Sequence, residues 1–325
     1  MNILIPNSFC YSAIGITKTL KRLSKYQVCL WGTGEEDKGV ASGSLLVDEY
    51  LKSPSLNCAS AYKAFLSSLI DSNGIDMIFC VLDSDLLVLD EIIKEHSSTV
   101  YVNPGHQNIL LFRDKLAASK AIEKIGINIP RIVMEDAKVP LILREKISVG
   151  STGIKYLDLC ESAQLNGTVF VQERERGREF TVDVLCDKDG EPHLIIPRER
   201  LEIRNGMSFK TQLKRDGDLI DATKRICHKF CLPGIWNVQF IKNEKGVFFI
   251  ELNPRISGSS IASITASFNF IDLYIDHFFF HNCIPSMDKL QEFVAWDSIV
   301  TRFYEESVFP QHNIKCPVSL SLIHI

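Results

Sequence analysis

The sequence predicts an α/β and α+β protein, with a small doubly wound parallel domain at the N-terminus and a mixed α+β part after it. Three observations lead there. Strand-like and helix-like segments alternate through the first hundred residues, as in a parallel sheet with crossover helices. From Asn108 the texture changes, and most strand-like runs then follow one another without a helix between them. At 325 residues the chain is also too long for one ordinary domain.

Taken in order, Asn2 to Pro6 is a short apolar strand, and Ala13 to Leu23 carries apolar residues at helical spacing. Gln27 to Trp31 reads as a second strand, Ala61 to Ile70 as a helix, Asp76 to Leu82 as a strand, Leu86 to His96 as a helix and Val100 to Asn103 as a strand. Arg113 to Ile125 is an amphipathic helix closed by Gly126, and Pro130 starts an extended segment. Val139 to Arg144 is a strand, and Gly150-Ser151-Thr152-Gly153 is a polar turn. Val169 to Gln172 and Glu179 to Cys186 are strands separated by the charged link Glu173 to Arg178. Asp218 to Phe230 is a helix, Trp236 to Ile241 and Val247 to Leu252 form a hairpin, and Asn269 to His281 is helical. The tail after about Phe309 is irregular.

Composition sets limits on function. The chain is 46% hydrophobic and 23% charged, as a soluble globular protein is, and its net charge of −4 gives nucleic acid no broad basic footprint. No apolar run approaches the roughly 20 residues of a membrane-spanning helix, and Met1 to Ile5 is too short for a signal peptide. The ten cysteines include no Cys-x-x-Cys pair, and their scatter fits a reducing, cytoplasmic setting. Cys227 and Cys231 around His228 could form one face of a metal site, although small buried thiols are the commoner outcome. The first strand is followed by Asn7-Ser8-Phe9-Cys10-Tyr11, where a dinucleotide site needs a glycine-rich turn, so NAD binding there is not expected. No Gly-x-Ser-x-Gly elbow occurs, so hydrolase-triad chemistry lacks support.

The most informative stretch is Phe248 to Ser259. A strongly β-forming run leads into Glu251, Asn253 and Arg255 at alternate positions, so the three can share one face of a strand. A carboxylate and an amide oxygen two residues apart suit a hard divalent cation, and an arginine beside them suits the phosphate that the cation bridges. Glu-x-Asn alone is more simply read as the polar face of an edge strand. The denser basic run Arg198, Arg200, Arg204 and Lys210 could project from one face toward a carboxylate or phosphate, or could form surface ion pairs with Glu199 and Glu202.

The block from Phe248 to Ser259 resembles the metal-binding strand of the ATP-grasp superfamily, and other motifs follow in that superfamily's order over about residues 1 to 305. The overall look is similar to the carbamoyl phosphate synthetase large subunit and to amino-acid and pyrrolysine-biosynthesis ligases. The resemblance implies a pre-ATP-grasp α/β domain (1–105), an N-terminal subdomain (106–172), a C-terminal subdomain (173–305) and a tail (306–325), with ATP held between the two subdomains. It implies that Lys115 and Arg144 contact the nucleotide phosphates beneath a mobile loop of Gly150, Ser151, Thr152 and Gly153. Relatives often have Lys-Pro where this chain has Arg144-Glu145. Gln172 and Glu173 would face the adenine and ribose, with Glu179 a second ribose contact, and Lys210 would join the nucleotide-binding residues. Gln239, Glu251 and Asn253 would hold Mg²⁺, or Mn²⁺ in its place, with a single formal charge. Arg255 would face the transferring phosphoryl group, with Arg198 and Arg200 on the carboxylate substrate.

The implied activity is an ATP-dependent carboxylate–amine ligase. It would join a small carboxylate, an amino acid or related acid, to an amine through an acyl phosphate, releasing ADP and phosphate. No nucleic-acid or membrane partner is expected, and ligases of this kind commonly form homodimers. Two alternatives stay open at this point. One is a carbamoyl phosphate synthetase-like enzyme acting on carbonate or carbamate. The other is a non-catalytic nucleotide-binding module, supported by Gln239 in place of an acid.

Overall fold

The computed structural model describes residues 1–133, 140–148, 153–157, 167–204 and 206–303. The expected irregular tail and Gly150, Ser151 and Thr152 lie outside the described residues.

The chain opens with β1 (Asn2–Ile5), α1 (Tyr11–Arg22), β2 (Cys29–Gly34), β3 (Glu49–Lys52), α2 (Ala59–Asn73), β4 (Met77–Ile78), α3 (Asp83–Ile92) and β5 (Val100–Tyr101). Their five strands pair in parallel in the order β3-β2-β1-β4-β5. The chain winds outward from β1 in both directions, which leaves a crevice at the strand ends between β1 and β4. Successive β1 residues serve opposite faces, as strand geometry requires. Leu4 packs with Tyr62, Leu66 and Leu89 of α2 and α3, whereas Ile3 and Ile5 join the core on the other side. Strand β3 escapes the sequence pattern because only Tyr50 of its four residues is buried.

Helix α5 (Lys115–Lys124) lies where the helix over Arg113 to Ile125 is expected, and a further helix, α4 (His106–Arg113), directly precedes it. The break falls at Asp114, which is extended and whose carboxylate accepts from the N–H groups of Leu116 and Ala117, both at 2.9 Å. Two orphan donors of the new helix are thereby satisfied, and Lys115 is fixed as its first residue.

A small antiparallel sheet follows, with β6 (Ile132–Val133), β7 (Leu141–Glu145), β8 (Lys155–Leu157) and β9 (Val169–Glu173) in the order β6-β9-β7-β8. The last part comprises β10 (Arg178–Cys186), β11 (Pro192–Arg204), β12 (Met207–Leu213), α6 (Gly217–Phe230), β13 (Gly234–Asn243), β14 (Gly246–Asn253), α7 (Ser260–Thr265), α8 (Phe270–Phe278), α9 (Met287–Gln291) and β15 (Ile299–Thr301). Its six strands form an antiparallel sheet in the order β14-β13-β10-β11-β12-β15.

Alternation assigns the two faces of this larger sheet. Phe180, Val182, Trp236, Val238, Phe240 and Leu252 pack on α5 and α6 through Ala118, Ile122, Leu219 and Ile226. Leu185, Leu194, Ile196 and Ile235, on the other face, share one core with Ile3, Ile5, Phe79 and Val81 of the parallel sheet and with Phe270 and Tyr274 of α8. The N-terminal layer is thus packed directly against the sheet that carries Glu251.

Among the described residues no helix is long and apolar enough to cross a membrane. The eight described cysteines are free thiols. Cys227 is buried beside Cys186, with sulfurs 3.9 Å apart, whereas Cys231 is exposed, so these residues build no metal face. No group of three or more His, Cys, Asp or Glu side chains that could hold a metal occurs among the described residues.

Candidate active site

A cleft of about 400 Å³ separates the small sheet from the larger one. Ile142, Arg144, Gln172, Tyr156 and Lys115 line one side, and Glu179, Arg200, Gln239, Ile250 and Glu251 line the other. A second cavity of about 220 Å³ adjoins it and shares Lys115, Ser148, Arg200, Gln239 and Glu251. Its remaining wall comes from the crevice of the parallel sheet, through Cys10, Tyr11, Ser12, Leu82 and Asp83, and from Asn253, Arg255 and the Ser257 to Ser259 loop.

The β13–β14 hairpin builds the carboxylate face. Gln239 stands opposite Glu251 and Asn237 opposite Asn253, while a bulge after Gln239 leaves Ile250 out of the pairing. The amide of Gln239 donates to Glu251 Oε1 at 2.9 Å, and its carbonyl oxygen accepts from Arg200 Nη1 at 2.5 Å. A guanidinium can only donate and an ionised carboxylate only accept, so the two neighbours dictate which way this amide points. Asn253 donates to Asn237 Oδ1 at 3.2 Å, which leaves its own carbonyl oxygen for a ligand.

Four cations surround this face. Arg144 is nearly buried, donates to the Ile250 carbonyl at 3.2 Å and lies 3.5 Å from Glu251. Burial lowers its pKa, and Glu251 partly opposes the shift. Lys115 donates to the Ser148 carbonyl at 2.6 Å, and its pKa is likewise lowered by burial, again against the pull of Glu251. Arg200 also donates to the Gly206 carbonyl at 2.7 Å, and burial lowers its pKa against Glu179 and Glu251. Arg255 is desolvated too, but its ion pair with Asp83 at 2.6 Å more than compensates and its pKa is raised.

The Nε atoms of Arg144, Arg200 and Arg255 are all buried without a hydrogen-bond partner. Buried donors are almost always paired, so three orphans around the two adjoining cavities fit a polyanionic occupant. The oxygens of Glu251, Asn253 and Gln239 suit Mg²⁺ in type. With one carboxylate among them, oxygens of the occupant itself would have to complete the shell.

The structure therefore brings together Lys115, Arg144, Gln172, Glu179, Arg200, Gln239 and Glu251 in the first cleft and adds Asn253 and Arg255 in the second. Gly153 has a left-handed φ of 72° and packs beside Glu145, whose side chain a Cβ would overlap. Four expected residues line neither cavity, Gly153 among them. Glu173 pairs with Arg131 on the outer side of β9, with an Oε1 to Nε distance of 2.8 Å. Lys210 lies near Glu202 at 3.8 Å. Arg198 is fully buried, donating from Nε to Asp183 at 2.8 Å and from Nη2 to Ser259 at 3.0 Å.

Sequence reasoning missed Asp83, Ser148 and Glu175 of the cavity walls. None sits in a motif. Only the acidic first turn of α3, Asp83 and Asp85, could have drawn attention to the parallel domain's contribution.

Comparison with known proteins gives these arrangements a context. Residues 166–294 match a family model described as ATP-grasp in the biosynthetic pathway with Ter operon. The carbamoyl phosphate synthase large chain of Thermoanaerobacter pseudethanolicus is 26% identical over 184 residues, covering 47% of this chain and 17% of that protein. Biotin carboxylase from Campylobacter jejuni, solved as a β,γ-ATP complex, superposes with a TM-score of 0.69 at 15% identity over 89% of this chain and 73% of its own. An L-amino acid ligase from Bacillus licheniformis superposes with a TM-score of 0.62 at 12% identity, covering 85% of this chain and 73% of the ligase.

Proposed function

We propose that this chain, whose residues 166–294 match an ATP-grasp family model, is an ATP-dependent carboxylate–amine ligase. The observation that carries the reading is the set of buried arginines with unpartnered Nε atoms around the hairpin of Glu251 and Asn253. In this reading ATP occupies the larger cleft and the substrate carboxylate the smaller cavity. A carboxylate oxygen attacks the γ-phosphorus, the bond to the β,γ-bridging oxygen breaks, and ADP leaves. The amine nitrogen then attacks the acyl phosphate carbon, loses a proton and expels phosphate, leaving an amide.

Lys115 and Arg144 hold the nucleotide phosphates from the N-terminal side, with Gln172 and Glu179 on the nucleoside. Arg200 and Arg255 orient the carboxylate and neutralise the acyl phosphate as it forms. Glu251 and Asn253, with Gln239 once its carbonyl oxygen turns from Arg200, would hold Mg²⁺, which supplies further charge neutralisation when bound. Arg198 acts behind the site by fixing Asp183 and the serine loop. Units of 1–105, 106–172 and 173–305 are the corresponding domains in this reading.

The test is ADP release from Mg·ATP with amino acids and amines supplied singly and in pairs, with hydroxylamine added to trap acyl phosphate as a hydroxamate. ADP release that needs a carboxylate, with a hydroxamate of that acid, supports the reading. AMP and pyrophosphate as products, or nucleotide binding without turnover on any pair, would overturn it. The carbamoyl phosphate synthase likeness favours one second reading, carbonate or carbamate as acceptor, for which bicarbonate alone would drive ADP release.

A further inference from the structure

A buried carboxylate with no cation beside it lies just behind the wall of the smaller cavity. Asp85, in the first turn of α3, is fully buried. Its oxygens accept from the Asn7 amide at 2.9 and 3.0 Å and from the Tyr62 hydroxyl at 2.9 Å, and the Asn7 amide also reaches the Tyr62 oxygen at 3.0 Å. Asn7 sits in the turn after β1 with a left-handed φ of 51°. The groups acting on or felt by Asp85 from the surrounding elements are Tyr62 of α2, Cys10 before α1, Cys80 after β4, Tyr101 of β5 and Asp83 of α3. None is a cation, and Arg255 nearby is paired with Asp83. Such a charge opposes folding, so its place in the molecule asks for a reason.

Its surroundings supply one. The turn that Asn7 closes delivers Cys10, Tyr11 and Ser12 to the cavity, and the helix turn that holds Asp85 delivers Leu82 and Asp83. We propose that Asp85, acting through Asn7 and Tyr62, is a positioning residue that locks these two segments together as the N-terminal wall of the acceptor pocket. The proposal rests on the ligase reading only for what the pocket holds. The lock itself exists in the free protein.

The lock depends on charge. Three donated hydrogen bonds converge on an ionised carboxylate. A proton on Asp85 would need an acceptor, and the buried polar atom at hand without a partner is Asn7 Oδ1. To offer it, the Asn7 amide must turn over and withdraw its NH₂ group, which releases the turn. Burial pushes the Asp85 pKa up to about 6, with the hydrogen bonds from Asn7 and Tyr62 restraining the rise. The lock should therefore loosen as pH falls through that value.

Amide hydrogen exchange on the free, full-length protein tests this without any ligand. Asp85→Asn and Tyr62→Phe are compared with the parent at pH 5 and pH 8, after correction for intrinsic rates. The expected result is faster exchange confined to residues 7–12 and 81–84 in Asp85→Asn at both pH values. The parent should approach it only at pH 5, and Tyr62→Phe should show a smaller effect. Once the carboxylate is identified, its KM should rise in Asp85→Asn while the thermal shift with Mg·ADP stays at the parental value. Unchanged exchange in both variants would overturn the lock, as would acceleration spread over the whole parallel sheet. A lost Mg·ADP shift in the parent would instead strike the ligase reading and leave the lock standing.

Discussion

Replacing Arg198 by methionine separates two roles that its sequence position allows. The side chain is wholly enclosed and Asp183 is 2% exposed, with 2.8 Å between Nε and the carboxylate. Asp183 also accepts from Ser260 at 2.9 Å and Ser263 at 2.5 Å, so its carboxyl group is left buried among serine hydroxyls once the guanidinium is gone. Removing one partner of such a pair costs about 3–5 kcal/mol, because a buried charge is left with hydroxyls alone. At about 2 °C per kcal/mol for a chain of this size, the melting temperature should fall by roughly 6–10 °C. The assay is urea and thermal unfolding of Arg198→Met, Asp183→Leu and the double variant. The double variant should recover much of the loss, since the uncompensated charge is gone and only the serine hydroxyls lack an acceptor. A single variant within about 1 kcal/mol of the parent, with a raised substrate KM, would refute the structural role and return Arg198 to the substrate.

Other outcomes follow from the same geometry. Asp85→Asn should change stability in a pH-dependent way. A carboxyl whose folded-state pKa is raised to about 6 contributes stability that is fully present below pH about 4 and lost as pH rises through about 6. Between pH 4 and 7 the variant should therefore gain about 3 kcal/mol on the parent, and a gap that is flat with pH would contradict this. Glu251→Gln should abolish turnover and leave the fold intact, because it removes the sole carboxylate among the proposed metal ligands; near-normal ADP formation would move the metal elsewhere. Lys115→Met should loosen Mg·ATP by about tenfold or more, corresponding to about 1.4 kcal/mol, and an unchanged nucleotide titration would remove Lys115 from the phosphates.

Much of this architecture is legible in the sequence, for identifiable reasons. The hairpin of β13 and β14 shows itself because apolar alternation, the Asn243 to Gly246 turn and the polar triplet Glu251, Asn253 and Arg255 all indicate one strand face. The doubly wound layer shows itself through strand–helix alternation, although its β3, like β8 of the small antiparallel sheet, is too short and too exposed to register. Arg198 and Arg200 are indistinguishable in sequence, since a period of two places both on one face. Depth along the strand separates them. Arg198 pairs across from Thr181 and is covered by Ser259, whereas Arg200 stands at the bulge of β11 and reaches Gln239. Asp83 and Ser148 reach the site only because the parallel sheet and the loop after β7 fold onto it, and no local pattern encodes such a meeting.

The central claim is that the cleft between the two antiparallel sheets binds ATP with a divalent cation, and thermal unfolding with ATP or ADP, each with and without Mg²⁺, tests it most directly. A nucleotide at one hundred times its Kd should add about 2.7 kcal/mol. The account predicts a stabilisation by Mg·ATP and Mg·ADP that weakens without Mg²⁺ or in Glu251→Gln and is absent with NAD. Equal, negligible shifts with all of these at millimolar concentration would contradict it.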